Sequence, residues 1–214
     1  MITPNNSRNT LARLACAVQV SAGAAAVSFA QPTAIYWSST SDTTFSNGAN
    51  WTGGVAPAND LTTNSVFFDG TGTADPLLDT SRSVASLNFQ NRSYTLSSSG
   101  GAVLTVGGSG ITQAGHLGVT VNPDIILAAD QTWFSQYSDG SLTMNGNVSG
   151  GFSLTKTGSG TLLLSGTNTY TGTTTVSQGI LQFGKTSALY NGDTASWTSA
   201  NLIVSSGTTL AFSV

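Results

Sequence analysis

One histidine, nine aspartates and four tryptophans carry most of the chemistry this 214-residue chain could perform. His116, in Ala114-Gly115-His116-Leu117-Gly118, could act as a general acid or base, but that role needs partner carboxylates held within hydrogen-bonding reach. No Asp-Asp or Asn-Thr-Asp segment occurs, so the sequence favours a turn histidine at the surface. Asp60, Asp69, Asp75 and Asp79 recur every few residues and could offer oxygen ligands to Ca²⁺. Neither an EF-hand loop nor a Gly-Gly-x-Gly-x-Asp repeat surrounds them, and structural roles in turns fit them better. Trp37, Trp51, Trp133 and Trp197 could stack on sugar rings, or bury their large apolar rings instead. Trp37 and Trp51 sit among other aromatics and read as core or cap, which leaves Trp133 and Trp197 as the candidates for glycan contact. Ser and Thr are abundant, yet no Gly-x-Ser-x-Gly elbow is paired with a suitable histidine. The sequence therefore assigns no catalytic residue, no cofactor and no metal ligand, and the chain reads as a non-enzyme.

Strands must position all of these side chains. Charged residues make up 7% of the chain against a usual quarter or so, and there is no Glu at all. Helix surfaces depend on Glu, Lys and Arg, so few surface helices are expected. From Leu87 onward, apolar residues at i and i+2 recur as Leu87/Phe89, Leu104/Val106, Ile125/Leu127, Leu142/Met144, Leu162/Leu164, Leu181/Phe183 and Leu202/Val204, spaced 17 to 21 residues apart. A period of two puts each pair on one face of its strand. A near-constant spacing predicts that successive pairs stack along one column, as in a parallel β-helix. Seven such coils would make a rod roughly 30 Å long at the usual strand spacing of about 4.8 Å. Tyr94/Leu96, Val119/Val121, Phe152/Leu154, Val176 with Thr174, and Leu210/Phe212 fall between the main pairs and are expected to line the other faces of each coil. The register around Ile111 and Trp133 is not fixed by the pattern.

Within this tract the stretch Gly150 to Gly184, GGFSLTKTGSGTLLLSGTNTYTGTTTVSQGILQFG, sets short alternating segments between Gly-centred turns with almost no charge. It closely resembles the autotransporter-associated β-strand repeat, also called the passenger-associated transport repeat, found in passenger regions of bacterial surface proteins. The resemblance covers about 35 residues and implies a β-helical passenger with an address outside the cell. It also implies that a full-length member often carries a membrane-embedded barrel further on. Phe152, Leu154, Leu162, Leu164, Val176, Leu181 and Phe183 are expected to form the repeat core. Gly158-Ser159-Gly160 reads as a turn, Asn168 as a turn closer that bonds backbone groups, and Thr171 with Thr173 to Thr175 as an outward Thr ladder. Leu163 should face outward, where the repeat pattern usually has Thr.

The ends of the chain extend the reading. Arg8 and Arg13 precede an apolar run from Leu14 to Phe29 that closes Val27-Ser28-Phe29-Ala30, the pattern of a secretory signal peptide. That run is shorter than the roughly 20 apolar residues a membrane span needs, and Arg13-Leu14-Ala15 before Cys16 argues against a lipid anchor. Removing residues 1–30 takes away the only Cys and leaves nine Asp against Arg82, Arg92, Lys156 and Lys185, a formal charge of −5. Spread acidity of this kind excludes nucleic acid as a partner, because phosphate binding needs clustered cations. No transmembrane segment remains in the mature chain, and the expected partner is an extracellular glycan or another cell-surface component. The organisation predicted is a signal peptide at 1–30, an aromatic-rich head at 31–79 acting as an N-terminal β cap, and a β-solenoid at 80–214. The fold class is all-β, a parallel β-helix whose C-terminus is incomplete. Its expected role is a secreted or outer-surface scaffold with an adhesin-like stalk function. The alternative is a β-helix that binds or cleaves polysaccharide.

Overall fold

The computed structural model describes residues 31–213; the expected signal peptide at 1–30, Cys16 included, lies outside the described residues. Short extended segments alternate with Gly-, Asn- and Ser-rich corners. The chain closes each coil by visiting up to three parallel sheets in turn. The tallest sheet has eight strands: Thr33–Tyr36, Asn64–Phe68, Ser86–Phe89, Ile111–Gln113, Gln131–Ser135, Leu154–Thr157, Thr174–Val176 and Leu202–Val204. A seven-strand sheet runs from Leu77–Leu78 through Tyr94–Ser98, Val119–Val121, Ser141–Met144, Thr161–Leu164 and Ile180–Phe183 to Thr209–Phe212. The third side is a four-strand sheet of Arg82–Val84, Val103–Val106, Asp124–Leu127 and Val148–Ser149. Every pairing within these sheets is parallel. This is the all-β parallel solenoid expected from the alternation, and eight strands at about 4.8 Å give the tallest sheet a span of roughly 34 Å.

Each sheet contributes its own inward column. On the eight-strand sheet Val66, Leu87, Ile111, Trp133, Lys156, Val176 and Val204 lie in register, which settles the position of Ile111 and Trp133. On the seven-strand sheet the column runs Tyr94, Val119, Leu142, Leu162, Leu181 and Leu210. The expectation of a single column through all seven pairs is thereby corrected. Leu87/Phe89 and Leu202/Val204 belong to the eight-strand sheet, Leu104/Val106 and Ile125/Leu127 to the four-strand sheet, and Leu142/Met144, Leu162/Leu164 and Leu181/Phe183 to the seven-strand sheet. The physical reason is that two sides of one coil can lie almost as far apart in sequence as one full coil, so spacing alone confuses them. Coils before residue 176 advance 20 to 24 residues along the first column. The step from Val176 to Val204 is longer, because three short 3-10 turns between Thr186 and Ser196 are inserted there.

The head contributes strands to this same stack. Thr33–Tyr36 and Asn64–Phe68 are the first two strands of the eight-strand sheet, so the change of composition near Asp79 coincides with no break in it. Trp37, Phe45, Trp51 and Phe68 are buried together, with Trp37 edge-on to Trp51 at 5.0 Å and Phe45 edge-on to Trp51 at 4.8 Å. Each buried indole has its N–H satisfied, as such rings require: Trp37 Nε1 donates to the Ala74 carbonyl and Trp51 Nε1 to the Phe45 carbonyl, both at 2.8 Å. Phe68 then stacks on Phe89 at 4.8 Å and hands the cluster on to the first regular coils.

Candidate functional site

Two successive coils between Leu154 and Phe183 show most directly how this sequence builds its coils. Leu154 and Lys156 project inward from one strand, Leu162 and Leu164 from the next, then Thr174 and Val176, then Leu181 and Phe183. All are buried. At the corner between sheets, Gly158 and Gly179 have φ of 78° and 72°, in the left-handed region that disfavours side chains. A Cβ on Gly158 would collide with the Ser135 carbonyl of the coil before, and one on Gly179 with the Gly158 carbonyl, so the corners stack only because both are glycine.

Lys156 is the unexpected member of this core. It occupies the column position between Trp133 and Val176 and is 1% exposed. Its aliphatic stem fills the column while its ammonium turns into the corner and donates to the carbonyls of Thr157 at 2.7 Å, Gly158 at 2.7 Å and Gln178 at 3.3 Å. No carboxylate pairs with it among the described residues. Removal from water disfavours the charged form, and burial pulls its pKa down to about 8. The ammonium therefore cross-links one corner to the next by neutral acceptors alone.

On the third side the four-strand sheet ends at Val148–Ser149, and residues 165–172 cross there without forming a strand. Main-chain bonds from the Thr169 N–H to the Val148 carbonyl and from the Thr171 N–H to the Gly150 carbonyl still tie this crossing to the coil before, and Asn168, fully buried, adds to them. Its Oδ1 accepts from the Val148 N–H at 2.8 Å and its Nδ2 donates to the Ala188 carbonyl, so it bonds backbone in the coils on either side instead of closing its own turn. Thr174 is likewise inward and not part of an outward ladder: its hydroxyl lies 2.8 Å from the Tyr170 hydroxyl and 3.0 Å from that of Tyr190. Burial pushes the pKa of both phenols up. Thr175 does face outward, in register with Thr155 and Ile203, and Leu163 is a half-buried outward residue between Thr143 and Gln182.

Residues 154–183 match the family model described as the passenger-associated-transport-repeat. This segment is similar to a passenger-associated transport repeat. It accounts for a minority of the chain, and no curated protein and no solved structure matches the sequence. The repeat consists of two strand-corner-strand units, each placing one strand in the eight-strand sheet and one in the seven-strand sheet. Such a repeat within a solenoid fits a passenger-domain scaffold. Among the described residues no helix is long and apolar enough to cross a membrane.

Phe152 is the exception among the residues expected in the repeat core. It is 40% exposed, because it precedes the strand that opens at Leu154 and follows the bend at Gly150, so strand alternation does not reach it. Trp133 is corrected too. It is fully buried, donates from Nε1 to the Gln131 Oε1 at 2.7 Å, and presents no ring face to a glycan. Trp197 is half-buried, stacked on Phe212 with centroids 5.4 Å apart. The four head aspartates do not converge. Asp60 caps the Thr62 and Thr63 amides, Asp69 accepts from the Thr71 N–H, Asp75 pairs with Arg92 at 3.0 Å, and Asp79 holds Ser46. The Thr63 and Thr62 donors hold the Asp60 carboxyl down at about 2. His116 is an exposed corner residue whose Nδ1 lies 2.9 Å from Asp139.

Sequence reasoning missed the buried polar set of Gln113, Gln131, Ser135 and Lys156. Alternation held the signal for it: each of these residues shares strand parity with an apolar neighbour, Ile111, Trp133 or Leu154. Ser135 Oγ donates to the Gln113 Oε1 at 2.9 Å, and Gln131 Nε2 donates to the Val106 carbonyl, so the set is satisfied internally. Among the described residues no buried side-chain nitrogen or oxygen lacks a partner.

Proposed function

We propose that this chain is the exported, surface-displayed part of a bacterial passenger protein and serves as a rigid, non-catalytic stalk. The observation that carries this reading is the passenger-associated transport repeat seated inside a continuous parallel stack. A solenoid whose coils contact only their neighbours can grow coil by coil after crossing a membrane. It needs no disulfide, since the chain's one cysteine falls in the expected signal peptide. In this reading the aromatic head shields one end of the stack, the repeat helps to drive folding outside the cell, and the corners carry adhesive contacts to another cell or matrix.

The test is made in the bacterium that produces the protein. Antibody raised against the chain is expected to label intact cells or to find the antigen in the medium, and external protease to remove it from unbroken cells. Antigen confined to the cytoplasm after fractionation would overturn the assignment.

A further inference from the structure

Three corners before the repeat differ from those within it. Residues 90–93, 114–118 and 136–140 leave the eight-strand sheet on successive coils, whereas inside the repeat the corresponding corners shrink to 158–160 and 177–179. The longer corners border an open pocket of about 330 Å³ lined by Asn91, Arg92, Gly115, His116, Leu117 and Tyr137. His116 stacks face to face on Tyr137, with centroids 3.7 Å apart and planes 15° from parallel. Asn91 is held at a left-handed φ of 64°, its Nδ2 donating to the Asp69 carbonyl at 2.7 Å.

The wall is fixed, yet its polar atoms are not used up. Arg92 donates to the Gly72 and Ala74 carbonyls through Nε and Nη2, pairs with Asp75 and lies 3.9 Å over the Tyr94 ring, so its position is set from several sides. Arg92 Nη1, His116 Nε2, the Tyr137 hydroxyl and Asn91 Oδ1 have no hydrogen-bond partner among the described residues. These are donors and acceptors together. Two of the polar side chains are held by aspartates, Arg92 Nη2 at 3.0 Å from Asp75 and His116 Nδ1 at 2.9 Å from Asp139, which leaves their other nitrogens facing the pocket. The His116–Tyr137 stack and the half-exposed Leu117 add an apolar face beside them.

We propose that this corner pocket binds a saccharide. Hydroxyl groups both donate and accept, as the free atoms here require, and a pyranose pairs a hydroxyl-rich edge with an apolar C–H face. The volume lies at the low end of the roughly 300–1,000 Å³ range of small-molecule sites, suited to a short oligosaccharide end. The site goes beyond the stalk reading and stands on different residues from Trp133 and Trp197.

The experiment is isothermal titration of the full chain with β-1,4-linked glucose, α-1,4-linked glucose and β-1,4-linked N-acetylglucosamine oligosaccharides. At least one should bind, with affinity falling about tenfold or more in both Tyr137→Ala and His116→Ala while thermal midpoints stay at the parent value. Trp197→Ala should bind as the parent does. Absence of binding to all three probes, or binding unchanged in the two corner variants, would overturn the proposal. Cell-surface labelling tests the stalk reading separately, so either can fail alone.

Discussion

Lys156 concentrates the energetics of a single side chain. A buried ammonium with only carbonyl partners trades desolvation against hydrogen bonds to charge, and removing it leaves the Thr157, Gly158 and Gln178 carbonyls without that donor. Lys156→Met should therefore destabilise the fold at neutral pH by about 1–3 kcal/mol, read as a lower midpoint in urea. The pH response has a definite sign. With the folded pKa at about 8 and the ordinary value 10.5, the unfolded chain binds more protons between those limits, so stability rises as pH increases from about 8 toward 10. Above about 10 the raised phenols of Tyr170 and Tyr190 act oppositely, because the unfolded chain then loses protons that the folded one keeps. Denaturant titrations at pH 8, 9 and 10 should show the rise in the parent and a flat profile in Lys156→Met.

At the scale of one element, Asn168 is the buried amide that ties the crossing at residues 165–172 to the coils on both sides. Its two amide bonds join the backbone of Val148 and Ala188 across adjacent coils. Asn168→Ala should cost about 1–3 kcal/mol for each backbone group left unpaired, and faster amide hydrogen exchange should be confined to the flanking coils. Phe152→Ser, on the exposed bend just before the Leu154–Thr157 strand, should shift the thermal midpoint little, since surface changes usually stay within about 0.5 kcal/mol. Gly158→Ala is expected to behave as a core mutation even though it adds a single methyl, because that methyl meets the Ser135 carbonyl. A midpoint equal to the parent's would contradict the proposed corner stacking.

Across the whole molecule, stability comes from stacked apolar columns and parallel ladders, with little help from charge. Among the described residues one Arg–Asp pair, Arg92–Asp75, and one His–Asp contact, His116–Asp139, occur, both partly or largely exposed. Such pairs contribute little and are screened by salt. Raising NaCl from about 0.05 to about 0.5 M should consequently leave the urea midpoint nearly unchanged, a range over which the Debye length shortens by about threefold. A large fall in midpoint would mean that charge pairs hold the coils together. At the last coil Val204, an inward-column residue, remains 43% exposed, and its neighbour Ile203 44%, so hydrogen exchange should be fastest at Leu202–Val204 and slowest in the central strands.

Strand period and corner composition were enough, by themselves, to specify an all-β parallel solenoid, and the stretch around Gly150 to Gly184 specified the repeat. Alternation is a local property that depends only on which face each side chain takes, so it survives without coordinates. Stacking partners are not local. A gap of 17 to 21 residues fits a step to another side of the coil as well as a full coil, and only hydrogen-bond register distinguished Leu87 above Ile111 from Leu87 above Leu104. The same limit hid the fate of single residues. Trp133 looked available to solvent until a coil on either side enclosed it, and the place of Lys156 in the core emerged only when its carbonyl partners, one of them a coil away, were brought together. Asn91 with Arg92, then His116, then Tyr137 lie on three successive coils, and they share a pocket because parallel stacking places equivalent corners one above another.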